Sequence, residues 1–138
     1  MLSKLAELLR TLQLYTHIAH NYVKGPLFLQ DHDFLGDLYK EYESDYDDLV
    51  ERIIGLGKPC NLKELHKMSI ASLELLPTEV KENKEYFVQI LALERKLNDF
   101  ANEVCKKDPS ISEGTKQLVG DIANKSEKRM YKLKQRIG

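Results

Sequence analysis

Two histidines and two acidic residues in the first 51 positions are the side chains of this sequence best suited to chemistry. His20 and His32 lie twelve positions apart, on either side of Gly25-Pro26, and Asp47 and Glu51 lie four positions apart. Imidazole and carboxylate groups together are typical ligands of a divalent metal such as iron, manganese or zinc. Each pair taken alone also fits a structural role, because carboxylates one helical turn apart can simply face water.

Four long segments with helical periodicity must position these side chains. We predict a first helix over Leu2–Val23, a second over about Leu29–Leu56, a third over Thr78–Lys107 and a fourth over Ser110–Ile137, with a short helical stretch over Leu62–Met68. No segment alternates with a period of two. The pattern therefore predicts an all-α protein, a four-helix bundle with a short helix in the crossover between the second and third helices. The length of 138 residues suits one domain, residues 1–138.

Local signals predict where these helices begin and end. Gly25-Pro26 ends the first helix, since proline cannot continue the hydrogen-bond ladder. Thr78, directly after Pro77, is the expected N-cap of the third helix. Ser110-Ile111-Ser112-Glu113 has the spacing of a capping box and predicts the start of the fourth.

The composition excludes several classes of protein. The net charge of −1 argues against a strongly basic nucleic-acid-binding protein, and no apolar run is long enough to cross a membrane. With only two cysteines a disulfide framework is not expected, which favours the cytoplasm. The charge is nevertheless polarised. Residues 31–51 carry nine acidic side chains and one basic one, and residues 125–136 carry six basic side chains and one acidic one.

The spacing of the two pairs limits how they can cooperate. His32 and Asp47 are fifteen residues apart on one predicted helix, which is roughly 22 Å at 1.5 Å per residue. They cannot bind the same ion within one chain. Two copies of the second helix, packed antiparallel about a two-fold axis near residue 40, would place His32 of one subunit opposite Asp47 and Glu51 of the other. Such an isologous dimer contains two equivalent sites.

These residues resemble the Dps family of mini-ferritins (DNA-binding proteins from starved cells). That family has two histidines twelve residues apart around a G-x-x-F turn, matched here by His20, Gly25, Phe28 and His32. It has an aspartate fifteen residues later and a glutamate four beyond, inside an E-R-x-x-x-L-G stretch. Asp47 and the segment 51–57 meet these spacings. The similarity extends over essentially the whole chain.

The resemblance implies a ferritin-like bundle that assembles into a hollow homododecamer built from two-fold dimers. It implies ferroxidase activity: Fe(II) is oxidised, preferably by hydrogen peroxide, and the ferric product is stored as mineral, which protects against oxidative damage. The iron sites, two per two-fold interface, would use His20 and His32 from one chain with Asp47 and Glu51 from the other. Three further acidic residues on one stripe of the second helix are candidate sites of iron nucleation: Asp37, Glu41 and Asp48.

The sequence departs from the family pattern in three places. Gly36 occupies the position where a further acidic ligand often follows the second histidine, Asn21 replaces a common tryptophan, and the first helix begins almost at Met1. DNA-binding members generally use a basic N-terminal tail, so we expect no DNA binding. Two alternatives stay open, namely a DNA-compacting nucleoid protein of the same fold, and a shell that has lost its metal chemistry.

Overall fold

The computed structural model describes residues 1–138 and contains five α-helices and no strand. They are α1 (Leu2–Tyr22), α2 (Phe28–Gly55), α3 (Leu62–Glu74), α4 (Lys84–Lys107) and α5 (Glu113–Ile137). The predicted all-α bundle with a short crossover helix is confirmed. None of the helices combines the length and the apolar character needed to span a membrane.

The helices pack as two hairpins. α1 lies along α2 and α4 lies along α5, while α1 also contacts α4, and α2 touches α5 over a shorter stretch. The crossover helix α3 packs on α1. Each long helix contributes an apolar stripe to one continuous core, which includes fully buried Leu9, Leu35, Leu49, Ile90 and Val119. Burial of these side chains at about 1.5–3 kcal/mol each drives the assembly of the bundle.

Two of the predicted helix limits in the crossover are wrong. α3 continues past Met68 to Glu74, and α4 begins at Lys84 rather than at Thr78. The segment before α4 is held in turns by side chains of the first helical turn. The Glu85 carboxylate accepts the backbone N–H groups of Lys81 and Glu82, both at 2.9 Å. These contacts satisfy the backbone without extending the helix.

The predicted capping box at the start of the fourth long helix is also wrong. Ser112 is the N-cap of α5, and its hydroxyl oxygen accepts the backbone N–H of Thr115 at 3.1 Å. Ser110 instead closes a turn, in which its N–H and its hydroxyl both donate to Asp108 Oδ1. Because Ser110 is engaged by Asp108 in this turn, it does not cap the helix.

A cluster of ionised side chains lies inside the bundle, where α2, α4 and α5 meet. Arg129 is 2% exposed and its guanidinium donates twice to fully buried Glu94, at 3.0 and 3.1 Å. The hydroxyl of Tyr42 donates to the same carboxylate. Burial opposes the charge of Arg129, but the neighbouring Tyr42 and Glu94 raise its pKa, so it stays a cation. Burial, reinforced by Glu94, raises the pKa of Tyr42 well above its ordinary value.

The cluster continues to Asp45, which is 1% exposed. Lys125 Nζ donates to Asp45 Oδ1 at 2.8 Å, and Arg129 Nη1 lies 3.5 Å from Asp45 Oδ2. The hydrogen bond to Asp45 raises the pKa of Lys125. The basic run near the C-terminus is therefore partly neutralised by α2, since Arg136 also pairs with an acidic residue of that helix, Asp31.

Candidate metal centre

His20 and His32 face each other across the α1–α2 interface. Their rings stack with centroids 3.7 Å apart and planes inclined by 19°. His20 Nδ1 lies 2.7 Å from the carbonyl oxygen of His32, and His32 Nδ1 lies 2.7 Å from the carbonyl oxygen of His20. A carbonyl can only accept, so each Nδ1 carries a proton, and in the neutral imidazole each Nε2 then keeps its lone pair. Both imidazoles are thus in the tautomer that binds a metal through Nε2.

Aromatic rings lie on both sides of this pair. Phe28, in the first turn of α2, stacks on His32 with centroids 4.9 Å apart. Tyr39 meets His20 edge-on at 5.4 Å and stacks on exposed His17 at 4.4 Å. These contacts fix the orientation of the imidazoles, as groups around metal-ligating histidines commonly do.

The start of α2 is anchored by a buried carboxylate next to His32. Asp31 is 2% exposed and accepts two hydrogen bonds from Arg136, both at 2.8 Å. Asn83 Nδ2 donates to Asp31 at 3.0 Å and to the carbonyl of Lys24 at 2.8 Å. The turn between α1 and α2 is therefore held by Asn83, directly before α4, and by Arg136 of α5. The hydrogen bond to Asp31 raises the pKa of Arg136.

Asp47 and Glu51 are exposed side chains on one face of α2 and make no hydrogen bond or ion pair within the chain. The structure does not bring them to the histidine pair. No three histidine, cysteine or acidic side chains of one chain gather around a point where they could hold a metal. This agrees with the helical distance between the two pairs.

The three acidic residues predicted as nucleation sites have different surroundings. Asp37 and Asp48 are exposed, and Asp48 lines a surface hollow together with Glu51. Glu41 is half-exposed and lies 3.5 Å from Arg129 Nη1. The same stripe also contains buried Asp45. Cations of α5 pair with Glu41 and Asp45 in the middle of the stripe, so only Asp37 and Asp48 at its two ends have free carboxylates.

The fold and the histidine pair define the class of this protein as a ferritin-type helical bundle. Its sequence matches the ferritin-like domain family over residues 1–138. The chain belongs to that family. A search of curated proteins finds no relative by sequence.

Among solved structures, the chain is similar to the crystal structure of the DPS protein from Vibrio cholerae O1, which is described as a member of a broad superfamily of ferritin-like diiron-carboxylate proteins. The TM-score is 0.66 at 19% sequence identity, over 99% of this chain and 86% of that one. The fold is therefore that of a Dps protein, as the sequence predicted.

Proposed function

We propose that this protein is a ferroxidase and iron-storing mini-ferritin. Fe(II) is its substrate, bound by His20 and His32 of one chain together with Asp47 and Glu51 of a two-fold-related chain. The ferric product collects inside a hollow dodecamer of about 190 kDa in the cytoplasm. The observation that carries this proposal is the pair of reciprocal Nδ1–H···O=C hydrogen bonds, which leaves both Nε2 atoms available as donors.

The donor set suits the oxidation of iron. Neutral imidazole binds Fe(II), and carboxylates stabilise the additional positive charge of Fe(III). With hydrogen peroxide as the oxidant, two Fe²⁺, one H₂O₂ and two H₂O give two FeOOH and four H⁺. Each Fe(II) loses one electron and the O–O bond of the peroxide is cleaved. The four protons must leave the site for water.

Subunit mixing tests whether the site is shared between chains. One variant carries His20→Ala and His32→Ala, the other Asp47→Ala and Glu51→Ala. Each alone should oxidise Fe(II) with peroxide no faster than buffer. Random mixing through dissociated subunits makes about half of the dimers mixed, and each mixed dimer regains one of its two sites. We therefore expect about a quarter of the wild-type ferroxidase rate.

The measurement is the ferric absorbance after anaerobic loading with Fe(II) and addition of peroxide. The control mixes the two variants without dissociating their subunits, so that no mixed dimers form. Inactive mixed dimers would contradict a site shared across the two-fold axis. Full activity of the carboxylate variant by itself would exclude Asp47 and Glu51 as ligands.

DNA compaction is the weaker alternative. Three of the six cations in residues 125–136 are paired with acidic residues of the same chain: Lys125, Arg129 and Arg136. The remaining lysines give a smaller basic surface than the sequence alone indicates. A gel-shift assay at 50 mM and 200 mM salt distinguishes the alternatives, since binding through phosphates weakens steeply over about that range.

A further inference from the structure

A surface cavity of about 490 Å³ lies where the turn between α1 and α2 meets the start of α4 and the last turn of α5. Nine residues line it, and four of them are cations: Lys24, Lys81, Lys84 and Arg136. Glu82 is the only carboxylate in the lining. None of the four proposed iron donors lines this cavity, so it is a feature separate from the candidate metal centre.

Hydrogen bonds tie the parts of the chain around the cavity together. The Asn83 side chain accepts the backbone N–H of Lys24 at 3.1 Å and donates to its carbonyl at 2.8 Å. Arg136 donates to Asp31 through Nε and Nη2, and its guanidinium carbon lies 4.8 Å from the centre of the Phe87 ring. These contacts fix the turn, the start of α4 and the end of α5 relative to one another, so the cavity is preformed.

Several polar groups around the cavity make no hydrogen bond within the chain. Lys24, Lys81 and Lys84 are exposed, and their ammonium groups form neither a hydrogen bond nor an ion pair. The same holds for Nη1 of Arg136 and for the backbone N–H groups of Asn83 and Lys84. All of these groups donate hydrogen bonds and none accepts. The ligand that suits them is therefore an anion with several acceptor oxygens.

We infer that this cavity binds the phosphate group of a small molecule. Three lysines and Glu82 give the lining a net charge of +2, because Asp31 balances the charge of Arg136. A phosphate group carries about −1.5 to −2 at pH 7, which matches that charge. Arginine and lysine are also the side chains that commonly bind phosphate. The inference does not depend on the proposed function.

The shape of the cavity favours a small phosphate compound over nucleic acid. Cations placed around a cavity act on one compact anion, whereas a DNA duplex spreads its charges along a rod, one about every 1.7 Å. The cavity volume of about 490 Å³ is within the range of small-molecule pockets, roughly 300–1,000 Å³. Pro26 and exposed Leu27 line the same cavity and offer an apolar surface to the organic part of a phosphate ester.

Equilibrium dialysis of the full-length chain against radiolabelled inorganic phosphate tests this inference. The protein is prepared without iron, because ferric ions bind phosphate themselves, and chloride keeps the ionic strength constant. We expect saturation at one phosphate per chain. The Lys24→Gln, Lys84→Gln variant should bind at least about tenfold more weakly, since a hydrogen bond to a charged group contributes at least this much.

A matched variant removes the same charge elsewhere on the surface. Lys128 and Lys132 are exposed on α5, form no ion pair and do not line the cavity. The Lys128→Gln, Lys132→Gln variant should therefore bind phosphate as the wild type does. Equal weakening in the two double variants would mean that phosphate responds only to the overall charge, and no weakening in either would exclude the cavity. Both results would overturn the inference.

A substitution expected to strengthen binding complements these losses, because misfolding cannot imitate it. Glu82→Gln removes the only carboxylate of the lining, so the affinity for phosphate should rise severalfold. Glu79→Gln is the control, since Glu79 is exposed and does not line the cavity. Unchanged or weaker binding by the Glu82→Gln variant would contradict a site at this place.

Competition against the labelled phosphate identifies the source of the phosphate group. Displacement by glycerol phosphate at a lower concentration than by unlabelled phosphate would indicate a phosphate ester as the ligand. Equal or weaker displacement would indicate the free ion, and both results support the cavity as a phosphate site. Displacement by duplex DNA at a lower phosphate concentration than either would overturn the inference of a small-molecule ligand.

Discussion

Two polar regions of α2, one around His32 and one around Tyr42 and Asp45, differ in whether their polar atoms remain available to a ligand. Around His32, the Nδ1 atoms of both stacked imidazoles are hydrogen-bonded within the chain, whereas their Nε2 atoms make no hydrogen bond. Around Tyr42 and Asp45, the charges are enclosed by Arg129 and Lys125 and turned toward one another. The first region holds donors ready for a ligand from outside the chain. The second pairs its charges with one another inside the chain, although Asp45 Oδ2 has no hydrogen bond and only faces Arg129 Nη1 at 3.5 Å, and such internal pairing is expected of a structural cluster.

Replacing the histidine pair should have the largest effect on function. The His20→Ala, His32→Ala variant removes both imidazole ligands, and changes to outer groups alone commonly cost up to about 100-fold in metal sites. We expect the ferroxidase rate, followed by ferric absorbance, to fall at least that far. The matched control is His66→Ala, since His66 is exposed on α3 and bonds to Tyr46 instead. An equal loss of ferroxidase rate in the His66→Ala variant would show that His20 and His32 have no special role.

Breaking the buried cluster should instead affect stability. Arg129→Met leaves Glu94 charged and unpaired in the core, which typically costs about 3–5 kcal/mol. Urea unfolding measures this cost, with Lys128→Met on the exposed face of α5 as the control. Combining Arg129→Met with Glu94→Leu should recover most of the loss, because no uncompensated charge remains. A double variant as unstable as the single one would mean that packing, not charge, dominates there.

Alkaline pH should give the next largest loss of stability. Burial raises the pKa of Tyr42 and of Tyr15 in the folded chain, so both keep their protons there above pH 10. Unfolded tyrosines ionise near pH 10, so the unfolded state then binds fewer protons and stability falls with rising pH. The limiting slope is about 1.4 kcal/mol per pH unit for each tyrosine. Urea unfolding between pH 9 and pH 12 measures it, and Tyr42→Phe should make the slope shallower by up to about the share of one tyrosine.

A substitution at the edge of the cluster should have the smallest effect on the free energy of unfolding. Glu41 is half-exposed and lies 3.5 Å from Arg129, so Glu41→Gln should change the free energy of unfolding by less than about 1 kcal/mol. Thermal or urea unfolding beside Arg129→Met provides the comparison. If Glu41→Gln lowered the free energy of unfolding as much as Arg129→Met, Glu41 would have to be counted as a full member of the buried cluster.

The sequence predicted those features that depend on local periodicity. Apolar residues three and four apart defined the four long helices, and Gly25-Pro26 placed the turn between His20 and His32. The starts of α4 and α5 were missed because the side chains of Glu85 and Asp108 compete for the backbone groups at these points. The end of α3 was missed as well.

The buried cluster was missed because its partners are 35 to 88 residues apart in sequence. A signal was nevertheless present. Glu94 lies on the apolar stripe of α4 between Leu91 and Leu97, and Arg129 lies on the stripe of α5 that ends at Leu133. Opposite charges on two core-facing stripes indicate a buried pair, since neither is stable there alone.

The Arg136–Asp31 contact joins the last turn of α5 to the residue next to His32. A change in this last turn therefore reaches the histidine pair through a single salt bridge, more than 100 positions away along the sequence. Truncating the chain or fusing another segment to it close to Arg136 would disturb this salt bridge and so the position of the α1–α2 turn. Under the proposed function, an affinity tag or a cleavage site placed there should lower the rate of Fe(II) oxidation although no proposed ligand has been changed.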